Sequence, residues 1–86
     1  MDTLEREFYL TTMRHKGAIL MVKIMEYYRD KEEKRQGVKI PDFLMIGLWQ
    51  RQAYKDIRNI LLQPQGEALF NAMYESAWHE LKERLP

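Results

Sequence analysis

The chain's 86 residues carry 14 Lys and Arg against 13 Asp and Glu, a formal net charge of +1, with 45% hydrophobic and 31% charged residues and no cysteine. That length suits one domain, and that apolar share is too high for a disordered chain. The balanced charge excludes the strongly basic make-up of a domain built to hold nucleic acid or to lie on an anionic membrane. Without thiols there is no disulfide framework and no thiolate zinc site.

The first seven residues, Met1 to Glu7, are acidic-rich where a secretory leader needs a basic start and an apolar run. A complete cytoplasmic protein is the expectation. Asp2 or Thr3 is a natural N-cap, and Asp2 with Glu5 has capping-box spacing. A first helix is predicted from about Thr3 to Arg35, stopped by Gln36-Gly37. Its length, roughly 50 Å at 1.5 Å per residue, admits a kink or break at Gly17. The longest apolar run inside it, Gly17 to Val22, is far too short to span a bilayer, so no membrane segment is expected.

Pro41-Asp42 is a good helix start, and a second helix is predicted from 41 to about Leu62. Phe43, Ile46, Trp49, Ala53, Ile57, Ile60 and Leu61 recur on one face at helical period and form its expected core stripe. Gln63-Pro64-Gln65-Gly66 breaks the pattern, because proline neither continues a helix nor lets its predecessor stay helical. The third helix is expected from about Glu67 to Arg84, with Phe70, Met73, Ala77, Leu81 and Leu85 as its core stripe and Tyr74 and Trp78 on the shoulder. Nothing alternates like a strand beyond Val38-Lys39-Ile40, and there is no internal repeat. The expected fold is an all-α three-helix domain with a long N-terminal helix.

Helix one carries more apolar surface than one stripe. Leu4, Phe8, Ala18, Ile19 and Val22 share one side, while Tyr9, Leu10, Met13, Leu20, Met21, Ile24, Tyr27 and Tyr28 cover another. A second apolar face of this kind usually marks an interaction surface. Self-association as a dimer is therefore expected through Leu10, Met13, Leu20, Met21, Ile24 and Tyr28. The alternative is a central helix clasped by the other two, with its tyrosines at the margin.

A second row on helix two runs Leu44, Leu48, Arg51, Lys55, Arg58, Leu62, at heptad-like spacing. Leu44, Leu48, Arg51, Lys55 and Arg58 are the candidate residues for gripping an acidic, partly apolar protein partner or a phosphate backbone. The alternative packs both leucines under the connector at 36–40 and leaves the cations solvated. The mixed-sign run Arg29 to Arg35 reads as a solvated helix end, with Asp30 and Lys34 spaced to pair.

Chemistry has little to build on. Glu75 and His79 sit at i and i+4 with Glu83 a turn further, but a metal site needs three or four ligands and His15 lies on another helix. Ser76 is the chain's single serine, without a visible triad, and the glycines are scattered singly rather than gathered in a phosphate loop. No cofactor and no metal are expected, and no enzymatic activity. Leu62 to Gly66 has helix-turn-helix length, yet the helix after it opens on Glu67 with no cation in its first turn. The sequence therefore reads as a non-enzymatic protein–protein interaction module, an adaptor, regulator or inhibitor. Weak nucleic-acid binding through the basic face of helix two is the alternative.

Overall fold

The computed structural model describes the backbone of residues 3–84 and the side chains of residues 15–83. Helix α1 spans Thr3–Gln36, a 3₁₀ turn covers Asp42–Leu44, and α2 (Met45–Leu62) and α3 (Gly66–Arg84) complete the order. No strand occurs among the described residues. None of the helices is long and apolar enough to cross a membrane among those residues.

α1 runs unbroken through Gly17, so the break its length admitted is absent. Strong helix formers on both sides carry the hydrogen-bond ladder through one glycine, whose cost of about 1 kcal/mol is too small to open it. The helix stops at Gly37, which takes a left-handed φ of 69° and donates its N–H to the Glu33 carbonyl at 2.8 Å. Glu33 also fastens the connector, its Oε2 accepting the Ile40 N–H at 2.7 Å. The charged end is arranged differently from the predicted Asp30–Lys34 pair. Glu32 accepts from Arg35 Nε at 3.0 Å and from Gln36 Nε2 at 2.5 Å, and the Arg35 hydrogen bonds hold its carboxyl below the usual carboxylate range. Asp30 instead accepts from its neighbour Arg29 at 3.3 Å.

Pro41 begins a tighter turn than expected. The Leu44 N–H reaches back to the Pro41 carbonyl at 3.1 Å, an i to i+3 bond, and α2 proper starts only at Met45. Arg29 pairs with Asp42 and ties this turn to α1. At the far end the Gly66 N–H bonds the Gln63 carbonyl at 2.8 Å. Gln65 there adopts a φ of 59°, a conformation costly for any residue with a Cβ.

Lys16 donates to Asn71 at 3.4 Å and Lys23 pairs with Glu80. Residue numbers rise together along both helices in these pairs, so α3 lies parallel to α1 and α2 runs antiparallel to both. Where the three helices meet, Leu20, Ile57, Phe70 and Ala77 form the buried cluster, with Ile19, Met21, Ile24, Ile60 and Met73 packed against it. The expected α3 stripe holds across the described residues, Phe70 and Ala77 being buried and Met73 and Leu81 half-buried. Leu85 lies outside them.

The α2 stripe holds only in part. Ala53 and Ile57 are buried, and Trp49 and Ile60 half-buried, but Phe43 is 79% and Ile46 59% exposed, and Leu61 is exposed as well. Phe43 and Leu61 lie about 80° round the helix from Ala53 at 100° per residue, beyond the strip that α1 and α3 cover. Ile46 lies near the buried line, so for it the cover ends short of the first turn of α2.

Candidate functional site

Two surfaces result from this packing. The first is the outer side of α2. Leu44, Leu48, Arg51, Lys55, Arg58 and Leu62 are all exposed, with Leu48 at 57% and Leu62 at 71%. Neither Leu44 nor Leu48 is tucked under the connector, so that alternative packing is not adopted. Among the described residues Arg51, Lys55 and Arg58 stand in no ion pair. Tyr54, Ile57, Arg58, Leu61 and Leu62 enclose a shallow hollow of about 220 Å³ on its flank. α2 thus turns outward a band in which leucines at both ends flank three cations.

The second surface is a cleft of about 410 Å³ where the helices converge. Leu20 and Ile24 of α1, Ile60 of α2, and Met73 and Ala77 of α3 make its apolar floor. Its polar lining is Tyr27, Tyr28, Asp56, Lys23 and Ser76. The two tyrosine rings meet edge to face, centroids 5.5 Å apart and planes inclined by 69°. The Tyr28 hydroxyl donates to Asp56 Oδ2, and Gln52 Nε2 donates to Oδ1 of the same carboxylate at 3.0 Å.

The Tyr28–Asp56 hydrogen bond, helped by partial burial and by the nearby negative charge, raises the Tyr28 pKa above its ordinary value. A phenol whose folded pKa is raised supports the fold fully below its unfolded pKa, and that support is lost as pH rises through the folded value. The window is therefore strongly alkaline. In an alkaline titration read by tyrosinate absorbance, one tyrosine should ionise later than the free phenol. Asp56→Asn removes the charge and the strongest acceptor, so that step should move back toward about 10. Tyr28→Phe should delete it. An unchanged curve in Asp56→Asn would show that Asp56 does not hold the phenol.

Of the residues expected to carry self-association, Leu20, Met21, Ile24 and Tyr28 are among the described side chains. Leu20 is 2% exposed at the centre of the core, Met21 and Ile24 pack against that core, and Tyr28 is engaged with Asp56. Leu10 and Met13 lie outside the described side chains. Leu20 is accordingly not available to a second chain, because α2 and α3 clasp this side of α1 and take its apolar residues into the fold. Over its described side chains α1 packs against both α2 and α3.

Glu75, His79 and Glu83 are exposed, and no three potential metal ligands gather among the described residues. Ser76 reaches the cleft but neither histidine lines it. Asp56 was not a candidate from sequence, although a signal existed: it is an acid bracketed at i−3 and i+4 by the core positions Ala53 and Ile60. The cleft itself gave no such signal, since it is assembled from three segments far apart in the chain.

The chain matches no family model, and no curated protein or solved structure matches it significantly. What it does must therefore be argued from its own residues.

Proposed function

We propose that this chain is a non-enzymatic protein–protein interaction module of the cytoplasm, and that the outer face of α2 docks on an acidic, partly apolar surface of a protein partner. One observation carries the reading. α2 buries Ala53 and Ile57 while Leu44, Leu48, Leu62 and the cations Arg51, Lys55 and Arg58 all face outward. Apolar groups concentrated on one face mark interaction surfaces, and the cations select the sign of the partner by complementarity. A second copy of the chain is the other protein partner. It would pair through α1 rather than this face, because a symmetric contact here would set Arg51, Lys55 and Arg58 against their own copies.

The test compares native bait with the double variant Arg51→Glu, Lys55→Glu in capture from the native host, followed by reconstitution with the purified partner. The variant should lose at least tenfold in affinity, and native binding should weaken with salt, as charge-driven association does. Equal capture by both baits would remove the α2 face from the reading. Native mass by light scattering over a wide concentration range separates a second copy from a different protein.

Nucleic acid is the second reading, favoured by the same exposed cations. Against it, the first turn of α3 carries Glu67 and no base, so the helix-turn-helix geometry has no cation to meet phosphate. Binding to generic duplex DNA with a steep salt slope would decide for it.

A further inference from the structure

The convergent cleft lies away from the outer face of α2, and its chemistry points to a small molecule rather than to the protein partner. We propose that it binds a small amphiphilic organic cation, an ammonium group carried on an apolar body about the size of one aromatic ring.

Its volume of about 410 Å³ falls inside the range of about 300–1,000 Å³ that ligand sites occupy, and its floor is wholly apolar. The rim selects the charge. Among the described residues Asp56 receives hydrogen bonds from Tyr28 and Gln52, both neutral, and stands in no ion pair. Lys23, the cation on the rim, is matched by Glu80. Beside the cleft, Lys23 and Arg29 share a hollow with four acids, Glu26, Asp30, Glu80 and Glu83. The surroundings are therefore net negative. An anionic ligand would be repelled, and a neutral one would strip water from a carboxylate without replacing it.

An ammonium ion placed at Asp56 gains a charge-assisted contact. Tyr27 and Tyr28, which line the same cleft, supply aromatic groups near that ammonium, the side-chain type that cation–π contact uses. The apolar body then covers Ile24, Ile60 and Met73.

Benzyltrimethylammonium tests the site on the full chain, followed by the methyl resonance of Met73 and by titration calorimetry. Neopentylbenzene, its uncharged isostere, and phenylacetate, an anion of similar size, are the comparisons. The cation should shift the Met73 methyl saturably, and both comparisons should bind at least tenfold more weakly. Asp56→Asn should weaken the cation at least tenfold with helix content unchanged. If Asp56→Asn does not fold, Tyr27→Ala, at an exposed position, should weaken the cation several-fold. The proposal is overturned by an unmoved Met73 methyl, by equal or tighter binding of either comparison, or by cation affinity that is unchanged in the folded rim variants.

Discussion

Phe70→Ala should abolish the cooperative fold near physiological temperature, or leave a urea midpoint far below that of the native chain. Phe70 is 2% exposed and is the one aromatic side chain of the buried cluster, held against Leu20, Ile57 and Ala77. Truncating a buried phenylalanine costs about 3–5 kcal/mol, part transfer and part cavity. A chain of this size holds only about 4–13 kcal/mol in total at ordinary stability per residue. The cavity would open where all three helices meet, and among the described residues there is no other large buried aromatic with which to close it. Phe70→Leu keeps most of the volume and should cost about 1–2 kcal/mol. Helix content and urea midpoint of the two variants check the ordering. A Phe70→Ala chain within 1 kcal/mol of native would mean that the cluster does not hold the helices together.

The same cluster explains which parts of the structure were legible in the sequence. Phe70, Met73 and Ala77 repeat at helical spacing between Pro64 and the chain end, and periodicity alone places them inward because α3 is covered along its length. On α2 periodicity names the correct meridian and the wrong extent. Phe43, Ile46 and Leu61 share the apolar pattern of Ala53 and Ile57, but Phe43 and Leu61 lie to the side of the covered strip and Ile46 beyond its end. On α1 the surplus of apolar residues was visible, but its meaning was not. Two neighbours can clasp one helix on adjacent sides, and a wheel plot does not say how many neighbours there are. The outer row of α2 was legible because cations and leucines at heptad-like spacing stand out on any helix. Asp56 and the tyrosine pair were not, since Asp56 lies 28 residues from Tyr28 and an acid near a core stripe is ordinary until its partners are known.

The separation of the two surfaces follows from this covering. One side of α2 closes the cleft through Ile60 and Asp56, and the other presents Leu48, Arg51, Lys55 and Arg58. A ligand in the cleft and a partner on the outer face would thus meet the same helix from opposite sides. Anything that moved α2 relative to α1 and α3 would change both, and the α2–α3 turn, where Gly66 lies close against the end of α2, helps fix its position.

At that turn Gly66→Ala should be as damaging as a core truncation. A Cβ on Gly66 would stand 2.3 Å from the Ile60 carbonyl oxygen, 2.7 Å from that of Leu61 and 2.8 Å from the Leu61 carbonyl carbon. All three are backbone atoms at the end of α2, so no side chain can rotate away. Alanine's better helix propensity, worth up to about 1 kcal/mol, is outweighed, because relief requires the turn to open. Opening it draws Phe70, one helical turn onward, out of its place against Leu20 and Ile57. A cost of about 2–4 kcal/mol is expected. Gly47→Ala supplies the contrast within α2: a Cβ there meets nothing within 4 Å, and the same change should stabilise by about 0.5–1 kcal/mol. Urea midpoints of the two variants should therefore move in opposite directions. If Gly66→Ala matched the native midpoint, the turn would have slack enough for α2 to shift on its own, and the two surfaces would not be mechanically joined. If it fell as expected while Gly47→Ala rose, close backbone approach at this one glycine would be what fixes the angle between α2 and α3, and with it the width of the cleft.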